Sequence, residues 1–364
     1  MAKKLVLLLL AGAVAACASD GPGPAGRTPA MRQLVLEPVV DLRDDSAAIL
    51  ARPEWVSVDP QGRFVIADIS DKNVKVYDAA GQRRGTVGRV GHGPGEFVGL
   101  MTAQAYGDSV IGYDLNGARI SVFGPDGRYR RALAITDRKV PLPFYVRVVD
   151  DSLFLLVAAV PGGAGRNLLS LVRPDGTPVA SFFDPSEYLG KDPKLIQRTM
   201  VIADAAGGVV FAALVGGDSV YAFDYRGRRL GAHPIDPQQP LVTTRTLLAR
   251  NGGRERLASG KSVVDGNRNV IGLVALDSAT VAMQVAEYNA ETGIDPLDGG
   301  TVIVHTLQPG GRLIPIARSD ERGAVIGRDR QGRLLMLRYT SSAADSYQVV
   351  RATTRPLTTA RRTP

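Results

Sequence analysis

Acidic, amide and imidazole side chains gather in two short stretches early in the chain. Asp68, Asp71 and Asn73 form one and Asp114 and Asn116 the other, with His92 and Glu96 between them. Carboxylates and amides are the hard oxygen donors that calcium takes, so Asp68 and Asp114, beside Asn73 and Asn116, make a candidate calcium site. Asp and Asn at strand ends also cap turns, which is their commoner use. A zinc site would need imidazoles, and the chain has three: His92, His233 and His305. No GxSxG, HExxH or Walker sequence occurs. No catalytic residue is therefore assigned, and no motif requires a cofactor.

The elements that would hold these residues recur along the chain. Val56 and Val58 lead through a turn at Gly62 into 64–68, then 73–77, with a second turn ending at Gly81. One repeat later come 109–114, 119–123 and a Pro-Asp-Gly turn at 125–127. Val56/Val58, Phe64/Ile66, Val74/Val76 and Ile120/Val122 alternate with period two, the pattern of half-buried strands. Weaker copies follow at 146–172, 201–223, 270–306 and 324–351. The turn glycines Gly81, Gly127, Gly176 and Gly227 recur at roughly 50 residues, near the period of a propeller blade.

Strand counting gives a second argument. The sixth unit has three strands and then runs into a polar end after Thr353, while an orphan strand, 33–41, precedes the first unit. Pairing the orphan onto the last unit closes a ring and leaves no open edge there. Pro38 suits an outer strand, since proline donates nothing to a ladder. The expectation is an all-β, six-bladed propeller of four-stranded antiparallel blades. A seven-bladed ring would need a hidden unit within 234–269.

Residues 88–97 (Gly-Arg-Val-Gly-His-Gly-Pro-Gly-Glu-Phe) resemble the NHL-type repeat, as do 68–77 and their echo at 114–123. The chain looks like the six-bladed propeller lipoproteins of bacteria, most of which have no assigned activity. Later units lose the Asp after the second strand, with Val157, Ala213 and Arg338 in or near its place. In such a ring, crossings between blades and turns between second and third strands emerge on one face. His92, Glu96, Asp68, Asp71, Asn73, Asp114 and Asn116 would share that rim, joined by the long segments 184–198, 234–269 and 287–300. Long connections often carry function. The resemblance also implies an alternative, because some NHL-type propellers are zinc lyases and some related ones calcium-dependent lactonases. His305, on a predicted third strand away from the axis, does not fit three converging imidazoles. The glycine-rich loop lacks the Lys-Ser/Thr and the helix of a phosphate loop. Its glycines serve a tight crossing, with Phe97 packed between blades.

The N-terminus reads as a lipoprotein signal. Lys3 and Lys4 precede an apolar stretch, 5–13, far short of the roughly 20 residues a bilayer needs. Val14, Ala15 and Ala16 then precede Cys17, the chain's one cysteine, in a sequence resembling a lipobox. The expected organisation is a signal at 1–16, lipidation at Cys17, a Gly/Pro-rich tether at 17–32, the propeller at 33–356 and a frayed tail at 357–364. Ala18 implies, by resemblance, sorting to the outer membrane. Without Lys3 and Lys4 the 44 basic residues fall to 42 against 36 acidic, a net +6, and Arg83-Arg84, 128–131 and 226–229 each flank a turn glycine. Scattered Arg without interleaved aromatics does not make a nucleic-acid footprint. The expected role is an exported, membrane-anchored binding module for an envelope protein or glycan. The alternative is a metal-dependent lactone hydrolase or lyase working at the central channel.

Overall fold

A computed structural model describes residues 30–44, 49–135, 142–158, 167–189, 200–243, 268–287, 297, 299–340 and 346–356. The signal, Cys17, most of the tether and the tail lie outside these residues. So do most of 234–269 and large parts of 184–198 and 287–300.

The described chain is all-β and builds a β-propeller from six four-stranded antiparallel units. Four are separate sheets, spanning 53–87, 100–134, 143–182 and 201–234. The other two are joined in one eight-stranded sheet. One half of it covers 268–319. The other is made of Ala324–Arg328, Leu334–Tyr339, Tyr347–Pro356 and the first strand of the chain, Arg32–Asp41. No seventh four-stranded unit occurs among the described residues.

Ring closure is more extensive than the sequence implied. Arg32–Asp41 pairs antiparallel with Tyr347–Pro356, from Arg32 opposite Pro356 to Asp41 opposite Gln348. Residues 352–356 also find partners in the N-terminal strand, so the last strand runs to Pro356. The ladder slips between Pro38 and Val40, which accommodates the missing proline donor. Arg32 and Gln33 also pair parallel with Ala317 and Arg318 of the fifth blade.

The strands are also drier than half-buried. Phe64–Asp68 and Val209–Leu214 are buried at every position. Blades stack face to face, so a middle strand is covered on both sides, and only outer strands such as Arg83–Val87 stay exposed. Six apolar clusters result, one at each blade-to-blade interface. The cluster that joins Val56, Phe64 and Ile66 to Ile326, Leu335 and Val349 closes the ring. Phe97 is fully buried between the first two blades. A Cβ on Gly88, whose φ is +73°, would sit 2.2 Å from the Phe97 ring. The crossing therefore needs glycine at that position for both conformation and space.

Candidate functional site

Each blade has four antiparallel strands and so returns the chain to the end from which it entered. All crossings between blades, and all turns between second and third strands, therefore lie on one face. This crossing face is where the sequence places its rim residues.

Most of those residues brace the fold. The Asp68 carboxylate accepts the N–H groups of Ala51 at 2.7 Å and Arg52 at 3.1 Å, and the Lys75 ammonium at 2.6 Å. Burial pushes its carboxyl upward, but the hydrogen bonds from Lys75 and the backbone outweigh that and hold it below the usual range. Asp71 accepts from Lys75 at 2.7 Å. Asp114 repeats the arrangement one blade on, accepting from Val98 N–H at 3.1 Å and Gly99 N–H at 2.8 Å. Each of these two aspartates ties the crossing that enters its blade to the end of the second strand. The repeated aspartate here is a latch.

Glu96 accepts from Gly93 N–H and the Arg89 guanidinium, both at 2.8 Å, and folds the glycine-rich loop on itself. His92 and Asn116 are exposed, and Asn73 is half-buried. The structure thus sets Asp68, Asp71 and Asn73 together on one blade and Asp114 and Asn116 on the next. No group of three His, Cys, Asp or Glu side chains is placed to hold a metal ion among the described residues. His233 faces Gly311 O at 2.5 Å from an outer strand, while His305 is sealed in the third strand of the fifth blade.

The opposite face carries hairpin turns built by a device the sequence reading missed. Asp59, Asp224 and Asp329 each accept the backbone N–H groups two and four residues on. Each also accepts the guanidinium of the arginine at the second position: Arg63, Arg228 and Arg333. Such Asx turns explain why arginines flank turn glycines.

The same crossing face exposes apolar side chains. Ile49, Val90, Leu142 and Met200 are 41–61% exposed and lie in crossings: Ile49, Leu142 and Met200 come just ahead of an inner strand, and Val90 follows the outer strand that ends at Val87. Tyr339, 36% exposed, ends a second strand on that face. Val179, on an outer strand of the third blade, is the remaining exposed large hydrophobic residue among those described. Five of the six thus share one face.

Polar side chains from the inner strands meet along the axis. Arg328 donates to Asp204 at 2.8 Å and to the carbonyl of Ala205 at 3.0 Å, while Asp204 accepts Ala275 N–H at 3.0 Å, so three blades are joined. Gln104 accepts Val148 N–H at 2.6 Å, and Ser57 accepts Ala105 N–H at 2.7 Å. Arg147 lies 3.5 Å from the Trp55 ring centroid and 4.4 Å from that of Tyr145. Burial lowers its guanidinium from the ordinary arginine value, with Tyr145, Asp204 and Glu54 pulling the other way. Glu54 keeps 47% of its side-chain surface open, yet the protein atoms around it raise its carboxyl, against the pull of Arg52 and Arg147. The signal for this cluster was single polar residues interrupting apolar inner strands: Gln104, Arg147 and Asp204.

Comparison with protein-family models gave no match, and comparison with curated proteins gave none either. Solved structures show the fold. A member of the DUF4221 family from Bacteroides vulgatus is similar over 90% of this chain and 99% of its own, at 9% identity and a TM-score of 0.59. A protein of Bacteroides fragilis named as exported is similar over 89% of this chain and 96% of its own, at 10% identity and a TM-score of 0.55. An inactive virginiamycin B lyase from Staphylococcus aureus, with quinupristin, is similar over 88% and 98%, at 9% identity and a TM-score of 0.50.

Proposed function

We propose that this protein is an exported lipoprotein, held in the outer membrane through Cys17, whose propeller docks an envelope protein or glycan on its crossing face. The observation that carries the binding role is the gathering of Ile49, Val90, Leu142, Met200 and Tyr339 on that face. Singly scattered exposed hydrophobic residues need no explanation; the reading rests on five of the six described ones lying on one face. The first strand begins at Arg32, on the face opposite the studs. Asp68 and Glu96 hold the crossings that carry Ile49 and Val90. The lyase likeness concerns fold alone, and we do not extend its activity to this chain.

The test pairs two variants. Cys17→Ala should release the protein from membranes with its propeller intact. Val90→Asp with Leu142→Asp should leave the melting temperature unchanged but shift the detergent-extracted protein from a larger native complex to the free monomer. A complex that survives the double substitution would refute docking by this face.

A further inference from the structure

The seam that closes the ring holds a groove of about 380 Å³, on the hairpin-turn side between the last blade and the first. That volume lies within the range of pockets that take small molecules. The first blade contributes Val58, Pro60, Gly62, Phe64 and Ala79. The last contributes Val39, Leu335, Arg351 and residues of its turn at 329–333. Gly62 and Ala79 bring almost no side chain into the space. Gly62 has φ +79°, which favours glycine, and a Cβ there would approach the Ala79 methyl group at 3.9 Å.

The floor is apolar. Phe64 and Leu335 are buried, and Val39 and Val58 are half-buried against the same cluster. The rim is cationic: Arg330, Arg333 and Arg351 line the groove with a single acid, Asp329. Arg333 holds Asp329 at 2.7 Å, and Arg330 ties the two turns together by donating to Pro60 O at 2.8 Å. The Nε of Arg351 is buried and makes no hydrogen bond among the described residues; Asp329 Oδ2 lies 3.3 Å from it, outside hydrogen-bond geometry. Acids just beyond the groove are already matched, Asp59 by Arg63, Asp78 by Arg84 and Glu37 by Arg355. Three guanidiniums against one carboxylate leave positive charge above an apolar floor.

Together these features select an anion that carries an apolar chain. A guanidinium fork matches a carboxylate, and the floor takes hydrocarbon out of water. A cavity of about 150 Å³ takes benzene, so this one has room for about a dozen heavy atoms. That is one short chain with its head group, and much less than a two-chain lipid.

We propose that the ring-closing groove binds a single-chain aliphatic carboxylate of medium length, with its head group on Arg330 and Arg351 and its chain along Val39, Val58 and Phe64. The site lies on the face away from the apolar studs and does not depend on docking there.

The test is calorimetry on the full chain carrying Cys17→Ala, which can be handled without detergent. Octanoate should bind saturably, one per chain. Octanol and acetate, which each keep one half of octanoate, should give no saturable heat. Arg351→Gln should weaken octanoate binding about tenfold or more, while Asp329 keeps Arg333. Ala79 sits at an exposed turn position, so Ala79→Trp should fill the groove and abolish binding with the melting temperature unchanged. That variant keeps the result readable if the arginine variant fails to fold. Equal binding of octanoate and octanol would overturn the proposal, as would no saturable heat with octanoate. So would octanoate binding that survives Ala79→Trp unchanged. Flotation with phosphatidylglycerol vesicles that is lost in Ala79→Trp would assign the groove to a membrane lipid instead, and would overturn it too.

Discussion

The ammonium nitrogen of Lys75 lies 2.6 Å from Oδ2 of Asp68, and both side chains are completely sealed from solvent. Lys75 also reaches Asp71 at 2.7 Å and donates to the carbonyl of Ile49, so one lysine joins a crossing, a turn and a strand end. Lys75→Met would leave Asp68 buried without its counter-ion. The expected cost is about 3–5 kcal/mol in urea unfolding, whereas Arg84→Met, which breaks the exposed pair with Asp78, should cost less than about 1 kcal/mol. Equal effects would show that Lys75 is not a latch.

Closure gives a second prediction. A chain beginning at Leu42 loses the strand that covers Tyr347–Pro356 and leaves a long bare edge. Size-exclusion chromatography should show association or aggregation, and a peptide of residues 31–41 added in trans should restore the monomer. A truncated chain that stays monomeric, with an unchanged melting temperature, would mean the strand is dispensable.

His305 makes stability depend on pH. Its ring is fully buried with neither nitrogen partnered among the described residues, and burial lowers its pKa to about 4. The unfolded chain takes up this proton near pH 6.5, well before the folded one does. Stability is therefore fully present above about pH 6.5 and is lost as pH falls toward about 4, by roughly 3 kcal/mol in total. The comparison is urea unfolding of the native protein and His305→Leu at pH 7.5 and 5. The native protein should lose more stability over that interval, and parallel losses would refute the assignment.

Much of this fold was legible in sequence, because blade turns repeat their chemistry and a three-stranded last unit needs a fourth strand. The orphan 33–41 could be assigned from strand arithmetic alone. Period-two alternation understated the burial of Phe64–Asp68, because that pattern assumes one wet face and stacked blades leave none. The site was less legible. Asp68 and Asp114 have the residue types of ligands, and only geometry shows their oxygens occupied by Ala51, Arg52, Val98 and Gly99. Arg147 and Trp55 are far apart in sequence, and nothing local indicates that their side chains stack on the axis. The exposure of Val90 and Leu142 likewise follows from where crossings emerge, which spacing alone does not give.

The central claim is that the crossing face docks a partner, and photo-crosslinking in the intact envelope tests it most directly. A crosslinking residue is placed in turn at Val90, at Leu142 and at Val179, the exposed apolar control on an outer strand. Docking by the crossing face predicts one and the same discrete adduct from Val90 and Leu142 and none from Val179. Adducts of equal yield from all three positions, or none from Val90 and Leu142, would contradict it.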